Sequence, residues 1–186
     1  MAQRELVERA RQGDRDAFSA LAASVVDRLY ATAVLILRDH SMADDAAQET
    51  IVRAWRDLPS LRDPDRFDAW LRRLLVNACR DEGRRHRRRR PEMTLLPSHE
   101  PAIGDSSAAF ADRDALERGF RRLSPDHRTA VVLRHYLGLS LAEVAEAIDA
   151  PLGTAKSRVH HATLALRAAL EADARGGTSM TRGGSA

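Results

Sequence analysis

Arginine side chains are the groups in this chain whose number and spacing could do chemistry, and Lys156 is the only lysine beside them. The guanidinium group presents a planar set of N–H donors that fits phosphate oxygens and guanine edges. The densest run of positive charge extends from Arg84 to Arg90. Such a run predicts general contact with phosphates rather than the reading of base sequence. The formal net charge is only +3, so the excess of positive charge is local.

The sequence contains no arrangement that is typical of a catalytic or metal-binding site. Cys79 is the only cysteine, which excludes an internal disulfide and a cysteine-rich zinc site. It falls at the border of the apolar face of a predicted helix, and a structural thiol is the better interpretation. His160 and His161 do not form a metal pair, because neighbours on a helix point about 100° apart. Since no Gly-rich phosphate loop or nucleophile motif is present either, we expect no enzymatic activity, no cofactor and no metal.

The stretch from Ser140 to Leu170 predicts the elements that position the basic residues within it. A first helix follows from the helical spacing of Leu141, Val144, Ala145 and Ile148. Its start is marked by a capping box of Ser140 and Glu143, whereas Pro151 interrupts the pattern and Thr154 is the predicted N-cap of a second helix. Two short helices joined by a tight turn are typical of a helix-turn-helix, whose second helix enters the major groove of DNA. An ordinary helical hairpin within a bundle is the alternative interpretation.

Helical spacing also runs through the N-terminal half of the chain. We expect helices over Gln3–Gln12, from Asp14 to about Arg38, from Ser41 to about Leu58, and from Asp63 into the arginine run. A capping box of Ser41 and Asp44 fits the start of the third of these helices. The apolar side of the fourth carries Phe67, Trp70, Leu71, Leu74 and Ala78, and its other side carries Arg72, Arg73, Asn77 and Arg80.

Composition divides the chain into two units. Pro91 begins a stretch of Pro, Gly and Ser without a sustained period, which predicts a flexible linker over residues 91–111. The linker would join a domain of residues 1–90 to a domain of residues 112–171. Fully extended, about 20 residues reach roughly 66 Å, near two turns of a DNA duplex. Residues 172–186 are rich in Gly, Ser and Thr, and we expect them to be disordered.

The overall composition predicts the fold class. Hydrophobic residues make up 44% of the chain but aromatic residues only 4%, and abundant Ala and Leu favour helices over sheets. The expected fold is therefore all-α, with two small helical domains joined by a flexible linker and the helix-turn-helix in the second. The longest uninterrupted apolar run, Ala33–Leu37, is far too short to cross a bilayer. We therefore expect a cytoplasmic protein without membrane insertion.

Four segments, in the order in which they occur, carry a resemblance to a known family. They are ADDAAQETIVRAW (Ala43–Trp55), RFDAWLRRLLVNACRDEGRR (Arg66–Arg85), LSPDHRTAVVLRHYLGLSLAEVAEAI (Leu123–Ile148) and PLGTAKSRVHHATLAL (Pro151–Leu166). They resemble bacterial sigma factors of the extracytoplasmic-function (ECF) group of the sigma-70 family. The resemblance covers nearly everything except the linker and the tail. It implies a promoter-specificity subunit that binds core RNA polymerase and directs initiation at −10 and −35 promoter elements, without catalysis of its own.

The resemblance also implies roles for residues at matching positions. The third helix would dock on the clamp helices of the largest polymerase subunit through Asp45, Gln48 and Glu49. A solvated acidic first turn, favoured by the helix dipole, is the alternative interpretation of these residues. The −10 element would contact Arg72, Arg73, Asn77 and Arg80, together with Ser60, Leu61 and Arg62 in a loop that holds an extruded base. The −35 element would contact Thr154, Lys156, Ser157, Arg158, His160 and His161. The resemblance further implies an anti-sigma factor that wedges between the domains.

A stand-alone helix-turn-helix regulator, such as a response regulator, is the rival class. That class usually carries a sensory domain with strands, and the N-terminal half shows no alternating strand pattern. Tight binding to duplex DNA without polymerase would favour it.

Three departures from the sigma-factor pattern are visible. His161 and Leu164 stand where basic or polar residues are common, and Asp149 replaces a turn Gly or Asn, a geometry that Asp tolerates.

Overall fold

The structure, a computed structural model, describes residues 3–89 and 116–180, with side chains as far as residue 172. Its helices are α1 (Gln3–Arg11), α2 (Arg15–Leu37), α3 (His40–Asp57), α4 (Phe67–Arg89), α5 (residues 116–122), α6 (Pro125–Val131), α7 (Leu141–Ile148) and α8 (Leu152–Met180). Short 3-10 turns at Leu58–Ser60 and Pro64–Arg66 join α3 to α4, and a π turn at Val132–Tyr136 extends α6. The described residues contain no strand, and the predicted all-α fold is confirmed. The predicted linker, residues 91–111, lies outside the described residues.

Side-chain caps fix where the N-terminal helices begin. Asp14 accepts two hydrogen bonds of 3.0 Å from backbone N–H groups in the first turn of α2, as predicted. At α3 the predicted cap is wrong. Asp39, and not Ser41, is the N-cap, and it accepts a hydrogen bond from the Met42 N–H at 2.9 Å. The reason is that Arg38 adopts the left-handed conformation (φ 59°), which ends α2 at this residue. Asp39 is therefore the first residue that can cap α3.

The N-terminal unit packs α1 to α4 around one apolar core. Its completely buried side chains include Val7, Leu21, Leu58, Leu71 and Leu75. Burial of each large apolar side chain contributes about 1.5–3 kcal/mol relative to exposure. The apolar side predicted for α4 therefore faces this core, as expected.

The most apolar helix is α2. An 18-residue window of it has a mean hydropathy of 1.7, and its 23 residues are long enough to cross a bilayer. Its side chains Leu21, Val25, Leu29 and Ile36 are nevertheless buried among the neighbouring helices. We therefore interpret α2 as the core helix of a folded domain.

The C-terminal unit contains the predicted helix-turn-helix. Ser124 caps α6, and Ser140 with Glu143 forms the predicted capping box of α7. The Ser140 N–H donates to the Glu143 carboxylate at 2.9 Å, and this bond, with that from the Ser140 hydroxyl, holds the pKa of Glu143 below its ordinary value. Asp149 closes α7 in the left-handed conformation (φ 53°), which Asp tolerates better than most residues. The end of α7 therefore lies where the sequence predicts it.

The last helix, α8, differs from the prediction at both ends. It begins at Leu152, because the Pro151 carbonyl accepts hydrogen bonds from the N–H groups of Thr154 (2.9 Å) and Ala155 (3.1 Å). Thr154 therefore lies in the first turn and is not the N-cap. At its other end the helix continues to Met180, through residues that we expected to be disordered. Extension of a formed helix costs far less than nucleation, and Ala, Glu and Arg at the junction favour it. Residues 181–186 lie outside the described residues.

Apolar contacts and hydrogen bonds of arginine side chains join the two units. Val76 of α4 belongs to the core of the C-terminal unit, whereas Val132 belongs to the core of the N-terminal unit. Arg128 of α6 donates to the Ile36 carbonyl of α2 at 2.9 Å and to two carbonyl groups of its own unit. Burial, and then the charge of Arg38, lowers the pKa of Arg128 to about 10, so it remains protonated at neutral pH. The two units are thus packed directly on each other.

Candidate nucleic-acid interface

The predicted −10 face of α4 lies against α7 of the other unit. The Arg73 guanidinium is 3.4 Å from the Asp149 carboxylate, and Arg80 donates to the last carbonyl of α7 at 3.0 Å. Arg72 lies 3.9 Å from the Glu143 carboxylate. The predicted residues Arg72, Arg73, Asn77 and Arg80 are partly or largely accessible along one side of the helix. That side therefore carries positive charge, and it remains partly accessible to solvent while its arginines contact α7 and the residue that ends it.

Arg66 belongs to the same face, although the sequence interpretation did not select it. It forms an ion pair with Glu146 on α7. Arg66 ends the 3-10 turn before α4, so it falls outside the helical spacing that grouped the other four residues. Its place at the start of the RFDAWLRR segment was the signal that could have found it.

The loop predicted to hold an extruded base is built on a buried leucine. Leu61 is 8% exposed and belongs to the N-terminal core, so it supports the loop from below. The Ser60 hydroxyl donates to the Asp57 carbonyl at 2.6 Å, and Arg62 is exposed. Ser60 and Arg62 are therefore the members of the predicted set that this loop presents to solvent.

The predicted −35 side of α8 is open to solvent. Its exposed members are Lys156, Ser157, His160 and His161. Arg158 is directed toward α6, where it forms an ion pair with Asp126 at 2.7 Å and keeps 25% of its side chain exposed. Thr154 is half-buried in the first turn. Lys156 and its exposed neighbours thus form the part of this helix that can approach a duplex directly.

The predicted polymerase-binding residues lie on one side of α3, but they are not equally available. Asp45 and Gln48 are exposed. Glu49 is half-buried and accepts a hydrogen bond from Arg53 at 2.7 Å, while Arg53 also donates to Asp81 of α4 at 2.9 Å. Asp45 and Gln48 are therefore accessible to a partner, whereas Glu49 is held by Arg53, the residue that links α3 to α4.

An apolar groove beside this acidic side is a feature that the sequence interpretation missed. It lies between α2 and α3 and has a volume of about 600 Å³. Val26 and Val52 at the groove are 40% and 59% exposed, and Tyr30 and Ile51 line it as well. Grouped apolar side chains with this exposure mark protein contact surfaces. The signal in the sequence was Val52, which stands among polar residues on the solvent side of α3.

The described residues contain no metal-ligand cluster, and their cysteine is buried. Within residues 3–89 and 116–172, no cluster of three or more His, Cys, Asp or Glu side chains could hold a metal ion. Cys79 is 3% exposed, and burial raises the pKa of its thiol to about 12. Very little thiolate is therefore present at neutral pH, which agrees with a structural thiol.

Both units of the chain match known protein families. Family models described as sigma-70 region 2 and sigma-70, region 4 match residues 21–89 and residues 113–166. The RNA polymerase sigma-H factor of Pseudomonas aeruginosa is 30% identical over 180 residues, which cover 90% of this chain and 93% of that protein. An ECF sigma-E factor of Haemophilus influenzae is 33% identical over 172 residues, which cover 84% of this chain and 89% of that protein.

Two solved structures are also similar to this chain. CnrH in complex with the cytosolic domain of CnrY is similar with a TM-score of 0.67 and 28% identity, over 93% of this chain and 99% of that chain. RpoE from Bartonella quintana, in complex with the anti-sigma factor NepR, is similar with a TM-score of 0.66 and 27% identity, over 83% of this chain and 96% of that chain.

The fold and its surfaces define a two-domain helical factor for transcription initiation, built from sigma-70 regions 2 and 4 in that order. The chain belongs to the ECF group of the sigma-70 family. The prediction that the chain is a sigma factor that directs transcription initiation is confirmed. The rival interpretation, a stand-alone helix-turn-helix regulator, is wrong because the N-terminal unit is sigma-70 region 2 rather than a sensory domain.

Proposed function

We propose that this sigma factor binds core RNA polymerase through α3, reads the −10 element with α4 and the loop before it, and reads the −35 element with α8. The observation that carries the proposal is the likeness to ECF sigma factors along both units. On α3, Gln48 lines the apolar groove beside Val52, and Asp45 is exposed on the same helix. A polar rim beside apolar area is the usual anatomy of a protein interface. Glu49 contributes to the same surface and accepts a hydrogen bond from Arg53, which holds α3 against α4.

At the −10 element, Arg72, Arg73, Asn77 and Arg80 hold phosphates and bases, and Arg66 joins them. Arginine pairs with phosphate through two parallel N–H···O bonds, which fixes orientation as well as charge. Extrusion of a base costs a few kcal/mol. These contacts offset that cost, and Ser60 and Arg62 of the loop, which Leu61 supports, border the extruded base.

At the −35 element, Lys156, Ser157, His160 and His161 approach base edges and phosphates from the first turns of α8. Each lost base contact typically costs about 1–3 kcal/mol. Arg158 steadies α8 on α6 through its ion pair with Asp126 and contacts DNA from the flank. Thr154 contributes through its place in the first turn, where helix N–H groups favour phosphate.

The proposed partners are core RNA polymerase, promoter DNA and an anti-sigma factor. Support for the last comes from the similar Bartonella quintana structure, which is bound to an anti-sigma factor. We also propose that the chain catalyses no reaction itself and acts in the cytoplasm, where polymerase and chromosome are present.

Run-off transcription with purified core polymerase over a library of genomic promoter fragments tests the proposal. The wild-type chain is expected to give transcripts from a small set of fragments that core polymerase alone does not transcribe. Substitution of all bases in either element of such a fragment should abolish its transcript, while substitution between the elements should not. Absence of any transcript that depends on the added chain would refute the proposal.

A further inference from the structure

A cavity lined by arginines lies where the two units meet. It has a volume of about 650 Å³, and its walls come from the end of α2, the second half of α4, the start of α6 and the end of α7. Small-molecule sites have volumes of about 300–1,000 Å³. Among the described residues, six arginines line the space that we call the arginine cavity: Arg38, Arg80, Arg84, Arg87, Arg128 and Arg158. The cavity is therefore large enough for a small ligand and carries positive charge.

Carboxylates neutralise only part of this charge. Three of the arginines have a carboxylate partner: Arg38 pairs with Glu117, Arg84 with Asp81 and Arg158 with Asp126. The described lining also contains three aspartates, Asp39, Asp126 and Asp149, so arginines outnumber carboxylates there by two to one. By either measure, three positive charges of the described lining have no matching carboxylate.

The arginines without a carboxylate partner are Arg80, Arg87 and Arg128. Arg80 donates to the Ile148 carbonyl at 3.0 Å, and Arg128 donates to three backbone carbonyls. Arg87 forms no ion pair with any residue that the structure describes. A carbonyl oxygen satisfies an N–H donor but carries no full charge, so these three guanidinium groups remain uncompensated.

Guanidinium groups from three helices converge on the cavity. A Cβ atom on Gly83 would lie 4.0 Å from both Arg87 Nη1 and Leu37 Cδ2, so the Arg87 side chain folds back over α4 toward the end of α2. Arg38 follows Leu37, and burial, and then the charge of Arg38, lowers the pKa of Arg128. Like charges that are held together raise the free energy of the site, and an anion among them lowers it.

The unmatched charge fits more than one phosphate group. A phosphate monoester carries about 1.5 to 2 negative charges at neutral pH, so three positive charges are better matched by two phosphate groups than by one. Arginine binds phosphate oxygens through two parallel N–H···O bonds. Leu37 and Met42 give the cavity an apolar wall beside the arginines, which suits an uncharged ring. Charge, volume and wall together are those of a site for a small nucleotide.

We propose that the arginine cavity binds a nucleoside diphosphate. Arg84 and Arg87, three positions apart on one side of α4, bind the two phosphate groups, and Arg80 and Arg128 add positive charge from the wall. The base lies against the apolar wall. Arg84 and Arg87 belong to the Arg84–Arg90 run, to which the proposed function gives no role. The site extends beyond that function, because its occupation requires neither polymerase nor promoter DNA.

Isothermal titration calorimetry with the full chain tests the proposal, with GDP, inorganic pyrophosphate and inorganic phosphate as the probes. GDP and pyrophosphate are expected to bind about ten-fold more tightly than inorganic phosphate, because a second phosphate group meets charge that the first leaves unmatched. GDP is expected to bind more tightly than pyrophosphate, because its base covers the apolar wall.

Two variants with the same change in charge separate the cavity from the rest of the arginine run. Arg84→Gln/Arg87→Gln removes two guanidinium groups of the lining and is expected to weaken GDP binding about ten-fold or more. The control, Arg88→Gln/Arg89→Gln, lies at exposed positions of α4 outside the lining and is expected to change the affinity by less than about two-fold. Circular dichroism verifies that both variants keep the helix content of the wild type.

Amide NMR signals locate the bound probe independently of the variants. Gly83 on α4 and Ala150 after α7 line the cavity from the two units. Their signals are expected to shift when GDP is added to the wild type. The signal of Gly13, in the turn between α1 and α2, is expected to stay in place.

Four results would overturn the proposal. The first is GDP binding that does not saturate or is no tighter than that of inorganic phosphate, and the second is GDP binding no tighter than that of pyrophosphate. The third is equal weakening in both double variants, which would assign the affinity to general contact of the arginine run with polyanions such as nucleic acid. The fourth is a GDP titration that shifts neither Gly83 nor Ala150. Failure of the proposed function is a separate result, since none of these measurements uses polymerase or promoter DNA.

Discussion

Replacement of Arg53 by methionine tests how α3 is held on α4. Arg53 donates to Glu49 on its own helix at 2.7 Å and to Asp81 on α4 at 2.9 Å, and only 19% of its side chain is exposed. Methionine keeps most of the packing of the arginine stem but removes both charged hydrogen bonds. The substitution therefore isolates the polar link between the two helices.

The expected loss in the free energy of unfolding follows from the partial burial of Arg53, Glu49 and Asp81. Hydrogen bonds to charged groups contribute about 1.5–3 kcal/mol when well buried, and exposed ion pairs contribute about 0.2–1 kcal/mol. Arg53 lies between these limits, and Asp81 keeps a second partner in Arg84. We expect Arg53→Met to lower the free energy of unfolding of the N-terminal unit by about 1–2 kcal/mol at pH 7.

The effect of this substitution should depend on pH. Burial raises the pKa of Asp81, but the hydrogen bonds from Arg53 and Arg84 outweigh it and hold the pKa below its ordinary value of 3.8. A lowered carboxylate pKa contributes stability that is complete above the unfolded pKa and is lost as the pH falls through the folded pKa. The difference between wild type and Arg53→Met should therefore be constant from pH 7 to about pH 5 and shrink below about pH 4.

Urea unfolding followed by far-UV circular dichroism, at several pH values, measures this difference. The matched control is Arg56→Met, three residues further along α3, where the arginine is 67% exposed and pairs with the adjacent Asp57. The control is expected to leave the midpoint unchanged. Equal midpoints for Arg53→Met and wild type at pH 7, or a difference that persists undiminished in acid, would refute the reasoning.

Four further outcomes are expected. Asp45→Lys should weaken binding to core polymerase at least ten-fold, measured by fluorescence anisotropy, while the thermal midpoint stays unchanged, because Asp45 is exposed and makes no contact that supports the fold; unchanged affinity would contradict the docking surface. Lys156→Ala should reduce run-off transcription from the cognate promoter about five-fold or more through a lost base or phosphate contact, and equal transcript yields would count against the −35 assignment. Gly138→Ala should destabilise the C-terminal unit by about 1 kcal/mol in urea unfolding, because Gly138 has a φ of +69° and no neighbour that alanine would touch; an unchanged midpoint would contradict this. Cys79 should react with a thiol reagent only after denaturation, because burial raises the pKa of its thiol to about 12; rapid labelling of the native protein would be inconsistent with it.

The sequence predicted those features that depend on neighbouring residues. The capping box of Ser140 and Glu143 and the helix start at Asp14 are read from residues two or three positions apart, and each forms. The start of α3 was misread because Asp39 and Ser41 are both good caps in sequence. The choice between them depends on how α2 ends, at the left-handed Arg38.

The contact between the α4 side of the N-terminal unit and α7 could not be predicted from neighbouring residues. Arg66 and Glu146 are 80 positions apart, and Arg73 and Asp149 are 76 positions apart. A polar residue on the solvent side of an isolated helix has the same sequence pattern whether it meets water, DNA or another domain. The pattern therefore identified the charged side of α4 but could not identify what covers it.

Site-specific photocrosslinking most directly tests the central claim, that the two units contact separate promoter elements when they are bound to polymerase. A photoreactive residue replaces Ser60, in the loop before α4, in one variant and Ser157, on α8, in another. With core polymerase present, we expect crosslinks about 25 base pairs apart, roughly 85 Å along the duplex. Crosslinks within one turn of DNA, or crosslinks whose positions do not change when polymerase is left out, would contradict it.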